Sequence, residues 1–414
     1  RSNSRCVVAE ILERDGYRVK IKVEVPASQV EQTYRSVLSD YASRVRVPGF
    51  RPGKAPAKVI EAKIGKESLL DEVKEVLRDE TFPKAARELS LLPVGARVLE
   101  EHLTFGEPFV YTVEVENYPE VKLPDWRSIK LEVETPELTE DVVNRALEDL
   151  RSRYGEMVAV EREAQASDHV FIETDDGGRF PVVMENAQPH VREALLGKKA
   201  GDEVLVPVKD GESVVREVKT KVLEVKTLQL PELDDEFAKT VGEDNLEALR
   251  AKVRESLKAQ FERETQNTKA SQLLDKLAEA LEVEIPPTMQ LREERSLLES
   301  LAEDLQQQGI DINEYLKQLE SEGKLEEFKQ NLSQSASKRL RRSLAVEALA
   351  EELKTELSQE EFNEFLAEVA RSYRTTPSRL QSELGQEAIA RLRIQRLHDK
   401  ALMEAVKILE GAQA

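Results

Sequence analysis

Seven basic residues lie in the segment 44–66, and Glu61 is the only acidic residue among them. The centre of this segment is the run Val47-Pro48-Gly49-Phe50-Arg51-Pro52-Gly53-Lys54-Ala55-Pro56. Three prolines and two glycines within nine consecutive residues exclude a regular helix and predict an exposed, semi-rigid loop between two helices. We expect Phe50 at or near the tip of this loop, flanked by Arg51 and Lys54.

A loop of this composition suits a surface made of RNA and protein. Arginine and lysine release counterions from phosphates, and an aromatic ring or a guanidinium plane can stack on a base or fill an apolar pocket. A solvated turn with a stray aromatic residue explains the same composition. The loop residues by themselves leave both interpretations open.

The distribution of charge along the 414 residues separates the two ends of the chain. The whole chain carries 81 acidic and 61 basic residues, a net charge of −20. Residues 1–112 carry 19 basic and 17 acidic residues, so the other 302 residues carry −22. We expect an acidic body that polyanions repel, except where the basic residues of the first segment cluster.

The elements that must hold the loop indicate an α+β domain. The alternation in residues 17–25 predicts a strand that Pro26 ends, and Ser28 with Glu31 matches a capping box at the start of a helix. Further helices are predicted at 56–65 and 67–90, and further strands at 94–99 and 108–116. Helices between strands from opposite ends of the segment favour an antiparallel sheet with helices on one face.

The rest of the chain changes character twice. Residues 117–165 are rich in proline and charge, contain the isolated Trp126 and a predicted helix at 139–153, and are interpreted as a linker. Short strands around a helix at 189–196 predict a small β-rich domain, and nearly everything after Pro231 has apolar residues at helical spacing. Most of these apolar stripes indicate helix packing. Binding of unfolded chains would require some of them to stay exposed, and the sequence does not identify which.

The run Gly49-Phe50-Arg51-Pro52-Gly53-Lys54-Ala55-Pro56 resembles the ribosome-binding signature of the trigger factor family, Gly-Phe-Arg-x-Gly-x-x-Pro. Residues 118–121, 230–237 and 336–349 resemble other segments of that family in the same order. The resemblance implies that the loop contacts ribosomal protein and RNA beside the exit tunnel. Many members have Lys at the position of Pro52. The proline removes one expected phosphate contact, which nearby cations can replace. The implied docking residues are Arg44, Arg46, Gly49, Phe50, Arg51, Gly53, Lys54, Pro56 and Lys58.

The family resemblance also implies an α+β multidomain fold. We expect an α+β ribosome-binding head at 1–116, the linker at 117–165, a reduced FKBP-like prolyl isomerase domain at 166–228, and an elongated all-α carboxy-terminal domain with substrate-cradling arms at 229–414. The middle domain departs from the family pattern. Glu173 and Thr174 replace an aspartate and an aromatic residue, and Val191 replaces another aromatic residue. We therefore predict that isomerase activity is reduced or lost, assign no catalytic residue, and list the remaining pocket candidates as Phe171, Glu173, Phe180, Pro189 and Val191.

The predicted function is that of an ATP-independent chaperone at the ribosomal exit tunnel, which holds nascent and unfolded polypeptides and assists their folding and export. The resemblance implies a cytoplasmic location and homodimers of the free protein. Three alternatives stay open: a free cytosolic prolyl isomerase or holdase, a structural helical scaffold, and a periplasmic chaperone, which would need a leader that the sequence does not display.

Other chemistry is not predicted. The four histidines, His102, His169, His190 and His398, lack the spacing of metal ligands, so no metal is expected. No phosphate-binding glycine loop is present, so no cofactor is expected. No apolar run reaches 18 residues, so no membrane span is expected, and the single Cys6 cannot form an internal disulfide.

Overall fold

The computed structural model describes residues 7–51, 54–210 and 213–413, without the side chains of residues 209, 210, 213–215 and 413. The predictions for Cys6, Pro52 and Gly53 lie outside the described residues. The described residues form two compact units. One contains residues up to Glu132 and from Thr268 onward, and the other contains Val133–Asn267. Each is described by itself below.

In the first unit, the amino-terminal residues form an α+β head, as predicted. Its four strands make an antiparallel sheet in the order β1-β2-β4-β3, and Ile21 of β2 lies opposite Val113 of β4. Every second residue of β2 and β4 is buried, because successive side chains of a strand point to opposite faces. The strands are β1 (Val8–Asp15), β2 (Arg18–Val25), β3 (Pro93–His102) and β4 (Phe109–Asn117).

Three helices of the head pack with the buried residues of β2 and β4 in one hydrophobic core. They are α1 (Ala27–Arg44), α2 (Ala57–Ile64) and α3 (Lys66–Glu88). The predicted capping box is wrong: the N-cap of α1 is Pro26, two residues before Ser28, and it makes no side-chain cap. The fixed φ of proline already sets the entry of the chain, with φ −64° and ψ 147°, so Ser28 lies inside the first turn.

The second unit combines a β-sheet with helices. Strands β5 (Glu156–Val160), β9 (Ser213–Gln229), β6 (His169–Thr174) and β7 (Arg179–Val183) follow one another across the antiparallel sheet, and β8 (Glu203–Asp210) also pairs with β9. Helix α5 (Pro189–Leu195) packs against β8. Helices α4 (Glu140–Arg153), α6 (Asp235–Thr240) and the first part of α7 (Leu246–Ala280) share a separate core that contains Leu147 and Phe237.

The carboxy-terminal residues of the first unit form an all-α body. Its helices are the end of α7, α8 (Pro287–Gln307), α9 (Ile312–Ser321), α10 (Leu325–Leu353), α11 (Gln359–Ser372) and α12 (Pro377–Gln413). Helix α12 is broken at Gly385, whose φ of +77° and ψ of 170° are not helical. Among the helices that the structure describes, none is long and apolar enough to cross a membrane.

The first part of the predicted linker packs into the core of the helical body. Trp126 is only 1% exposed and lies in one cluster with residues of α7, α10 and α12, while Val121, Leu123, Ile129 and Leu131 pack around that cluster. On α10, Arg341 donates hydrogen bonds to the carbonyl oxygens of Ala278 and Leu281, at 2.8 and 2.6 Å. A guanidinium thus satisfies carbonyls at the carboxyl end of α7, where a positive charge is favourable.

Candidate functional site

The basic loop joins α1 to α2, as predicted, and its described basic side chains are exposed. Helix α1 ends at Arg44, and the N–H of Val45 donates to the carbonyl of Tyr41 at 2.8 Å. The chain then turns at Gly49, whose φ of +87° favours glycine. Phe50 follows directly and is 44% exposed, close to its expected place at the tip. Pro56 is the N-cap of α2, and the chain is helical again from Ala57.

Both sides of the loop are fixed to the head. Val47 and Ala55 pack against the head core. The side chain of Lys63 donates a hydrogen bond to the carbonyl of Arg46. Tyr34 of α1 donates to the carboxylate of Glu61 at 2.9 Å, and burial together with this bond raises the pKa of Tyr34 to about 12. The loop is therefore fixed to the head on both sides, while Phe50, Arg51 and Lys54 are exposed.

The loop cations are available for a partner. Within the described ranges, no acidic side chain forms an ion pair with Arg44, Arg46, Arg51, Lys54 or Lys58. The only acidic residue of the segment, Glu61, accepts its hydrogen bond from Tyr34. The docking candidates that the structure describes are all exposed: Arg44, Arg46, Gly49, Phe50, Arg51, Lys54, Pro56 and Lys58. Apart from Gly53, which lies outside the described residues, the predicted docking residues are thus exposed along one short stretch of the head.

The isomerase-pocket candidates lie apart from one another in the second unit. Phe171 and Glu173 alternate with the buried Val170 and Ile172, so they occupy the opposite face of β6. On that face the ammonium of Lys226 lies 4.9 Å from the ring centroid of Phe171, and Arg179 pairs with Glu173 at 2.7 Å.

The other three candidates have different surroundings. Phe180 pairs with Ile172, so it lies on the other face of the sheet from Phe171, and it is 46% exposed. Val191 packs against the core of the sheet. Pro189 is exposed at the first position of α5. Phe171 and Glu173 are therefore separated by the sheet from Phe180, Val191 and the core.

A buried carboxylate that the sequence analysis did not single out fixes the loop before β6. Asp168 is fully buried and accepts two hydrogen bonds from the guanidinium of Arg162, at 2.6 and 2.9 Å, and one from the N–H of Gln165 at 2.8 Å. Burial acts to raise the pKa of Asp168, but the bonds from Arg162 and Gln165 outweigh it and lower the pKa below its ordinary value. The ionised carboxylate is thus part of the folded structure.

Asp168→Asn should destabilise the sheet of the second unit by about 2–3 kcal/mol near neutral pH. This cost is smaller than that of breaking a fully buried ion pair, because Arg162 is partly exposed. Because the folded-state pKa is lowered, the contribution of the charge is complete above the unfolded pKa near 4 and is lost as the pH falls through the folded pKa. Hydrogen exchange of residues 169–174, corrected for intrinsic rates, should show a wild-type advantage that shrinks below about pH 4. A pH-independent difference would contradict the role of the charge.

The helical body exposes large apolar side chains that the sequence alone did not identify. They are Leu291, Ile310, Tyr373, Leu384, Ile394 and Ile408. Periodicity could not separate them from core residues, because helix packing and exposed stripes have the same spacing. They give the body dispersed apolar contact points beside a largely charged surface.

Comparisons with known proteins assign the class. The family model of the bacterial trigger factor protein matches residues 8–150, and the model of its C-terminus matches residues 245–407. A trigger factor from Thermus thermophilus is 57% identical over 403 residues, which cover 97% of this chain and 100% of that protein. One from Deinococcus deserti is 40% identical over 98% of this chain and 94% of that protein.

A solved structure agrees with these relatives. It is described as "Promiscuous Substrate Recognition in Folding and Assembly Activities of the Trigger Factor Chaperone", and it matches with a TM-score of 0.66 and 27% identity over 97% of this chain and 100% of that one. The α+β head, the sheet of the second unit and the helical body define a modular chaperone, and the predicted fold class is confirmed. The chain belongs to the trigger factor family. Membership implies interaction with unfolded polypeptides.

Proposed function

We propose that this chaperone docks on the ribosome through the basic loop, residues 44–58, and holds nascent polypeptides as they leave the exit tunnel. The docking surface combines cations for ribosomal RNA phosphates with Phe50 for a base or an apolar protein pocket. The proposed location is the cytoplasm, where ribosomes are found, and the free protein is proposed to pair as homodimers. The proposed domain boundaries are those predicted from the sequence except for the linker, because its residues 118–131 pack in the helical body and its strand β5 belongs to the sheet of the second unit.

The observation that carries the proposal is the exposed, unpaired state of the loop cations. Arg44, Arg46, Arg51, Lys54 and Lys58 make no ion pair with another described residue, although the chain carries 20 more acidic than basic residues. Unpaired like charges repel each other, so their concentration on one loop weakens folding slightly unless a polyanion binds there. Anchoring by Val47, Ala55 and the Tyr34–Glu61 bond lowers the entropy lost on docking.

Holding by the helical body follows from its exposed apolar residues. Each exposed side chain, such as Leu291 or Ile394, offers a small apolar area, so each contact with an unfolded segment is weak and reversible. Several such contacts delay collapse of the bound segment. Because each weak contact dissociates by itself, release of the polypeptide needs no conformational change driven by a nucleotide.

A salt series tests docking. If three to five loop cations neutralise phosphates, the logarithm of the ribosome association constant should fall linearly with the logarithm of salt concentration, with a slope of about −2 to −4.5. Quantitative co-sedimentation of the wild-type chain with purified ribosomes measures this slope. A slope near zero would show that the cations do not bind phosphates, and docking through this loop would be abandoned.

Isomerase activity of the second unit is proposed to be reduced. Catalysis of proline isomerisation needs a dry pocket that grips the ring, and the candidates for such a pocket occupy opposite faces of one sheet. A free prolyl isomerase or holdase that does not depend on ribosomes is the alternative function.

The full chain should therefore accelerate proline-limited refolding of a model substrate only weakly. Uncatalysed isomerisation takes tens to hundreds of seconds, which leaves ample range to detect catalysis. The variant Phe171→Ala should leave the small remaining rate unchanged, because that ring contacts Lys226 on the outer face. Strong acceleration that Phe171→Ala abolishes would favour the alternative function instead.

A further inference from the structure

Glu61 is an acidic residue within the basic segment, and it pairs with none of the cations there. The segment 44–66 contains seven basic residues and this single acid. Glu61 lies on α2, three residues after Lys58, and its side chain is half-buried while that of Lys58 is exposed. No described basic residue forms an ion pair with Glu61. Its carboxylate instead accepts a hydrogen bond from the hydroxyl of Tyr34, at 2.9 Å.

The spacing of Lys58 and Glu61 permits an ion pair. Residues three positions apart on a helix are neighbours on its surface. Four ion pairs of the described helices have this spacing: Asp71–Lys74, Glu148–Arg151, Glu236–Lys239 and Glu326–Lys329. In each of them the acid comes first, which is the more favourable order, so a pair of Lys58 with Glu61 would be weaker than these. In place of such a pair, the structure shows the bond from Tyr34 to Glu61.

Tyr34 is a fixed partner for this carboxylate. Its ring lies in the core of the head, is only 6% exposed, and meets the ring of Phe105 edge-on with 5.1 Å between the ring centroids. Burial, together with the bond to Glu61, raises the pKa of Tyr34 to about 12. The hydroxyl therefore keeps its proton at neutral pH and remains a donor. A donor on a buried ring holds the carboxylate at one place on the head.

We propose that Tyr34 is a positioning residue for ribosome docking, because it holds Glu61 away from the loop cations and leaves Lys58 free for a phosphate. The inference rests on the proposed docking function and deepens it. A carboxylate released from Tyr34 would pair with Lys58 and would repel the phosphates of ribosomal RNA. Tyr34 thus acts through the charge of Glu61, in addition to its contribution to anchoring the loop.

The test is a double-mutant cycle of Tyr34→Phe and Glu61→Gln, in which co-sedimentation of the full chain with purified ribosomes is measured across a salt series. Tyr34→Phe keeps the buried ring and frees the carboxylate. It should weaken binding at low salt by about 2-fold to 5-fold and reduce the magnitude of the salt slope by up to about 0.9. Glu61→Gln should bind at least as tightly as the wild type. Adding Tyr34→Phe to Glu61→Gln should change the affinity by less than about 1.5-fold.

The matched control is Tyr41→Phe. Tyr41 also lies on α1, and its hydroxyl donates to Glu72 of α3 at 3.4 Å, outside the basic segment. This variant loses the same kind of bond between a tyrosine and a glutamate, so it should leave both the ribosome affinity and the salt slope unchanged. An equal loss of affinity in Tyr41→Phe would overturn the specific role of Tyr34.

Two results separate the effect of charge from anchoring. A loss in Tyr34→Phe that persists in the Glu61→Gln chain would show that the hydroxyl only anchors the loop, and the proposal would be overturned. Binding of Tyr34→Phe at wild-type affinity would overturn it as well. The chain with Phe50→Ala and Arg51→Ala is measured alongside. If that chain also bound at wild-type affinity, the docking function itself would be lost, whereas a loss confined to it would count against Tyr34 alone.

Discussion

Alanine at both Phe50 and Arg51 should lower ribosome affinity by about 60-fold or more, because each side chain contributes separately. Stacking of an aromatic ring on a base contributes about 1–3 kcal/mol. A hydrogen bond between a guanidinium and a phosphate contributes about 1.5–3 kcal/mol. Both side chains are exposed on an anchored loop, so neither must be freed from an internal partner before it binds. Co-sedimentation with ribosomes over a range of concentrations measures the change.

The two residues should differ in their dependence on salt. Arg51→Ala removes one phosphate contact and should reduce the magnitude of the salt slope by about 0.7–0.9. Phe50→Ala should weaken binding at every salt concentration without changing the slope. If both single variants changed the slope equally, the loop would be losing its shape instead of losing separate contacts.

The control for this pair is Leu92→Ala with Arg87→Ala, which removes an exposed apolar and an exposed basic side chain of the same head. It should bind ribosomes as tightly as the wild type. Unchanged binding of the loop variant, or an equal loss in the control, would mean that the loop is not the docking surface.

The loop was predictable because its determinants are local. The prolines and glycines within nine residues exclude a helix however the flanking helices pack. The charge of the same residues predicts that the loop is exposed. Its anchors were not predictable in the same way. Tyr34 and Glu61 are 27 residues apart on two helices, and their hydrogen bond depends on how those helices pack. In the sequence, Tyr34 is one of several apolar residues at helical spacing, with Val30 and Val37, and that spacing does not indicate a hydrogen-bond partner.

The strands that the sequence did not indicate have weak alternation. A β-bulge between Ile11 and Glu13 of β1 interrupts the period of two that predicts a strand. β5 has only five residues, most of them exposed, and owes its conformation to pairing with the long β9. The arrangement of the isomerase-pocket candidates was not predictable either. The family resemblance names these residues, but it does not show that Phe171 faces away from Val191.

The packing of Trp126 was also hidden from the sequence. Proline and charge around it indicate a linker, whereas the structure places its side chain in the core of the helical body. Its hydrogen-bond partner comes from a distant segment: the indole N–H donates to Glu352 at 3.0 Å. The guanidinium of the neighbouring Arg127 lies 4.4 Å from the ring centroid and donates to the same carboxylate. The bond from Arg127, with that from Trp126, lowers the pKa of Glu352.

Trp126→Ala should therefore destabilise the helical body by about 3–5 kcal/mol, through lost burial and the cavity left behind. Trp126→Phe keeps most of the apolar area but loses the N–H donor, and should cost less. Since residues 118–131 share this core, the alanine variant should also release that segment. Urea unfolding followed by far-UV circular dichroism measures the change, because the body supplies most of the helix.

Tyr373→Ala is the control for aromatic truncation, since this ring is 72% exposed, and its cost should stay within about 0.5 kcal/mol. In the wild type, Trp126 is the only tryptophan, so its fluorescence reports the same core directly and should shift to longer wavelength at the urea concentration where helix is lost. If Trp126→Ala unfolded at the same urea concentration as the wild type, residues 118–131 would only cover the helices, and the helices alone would stabilise the body.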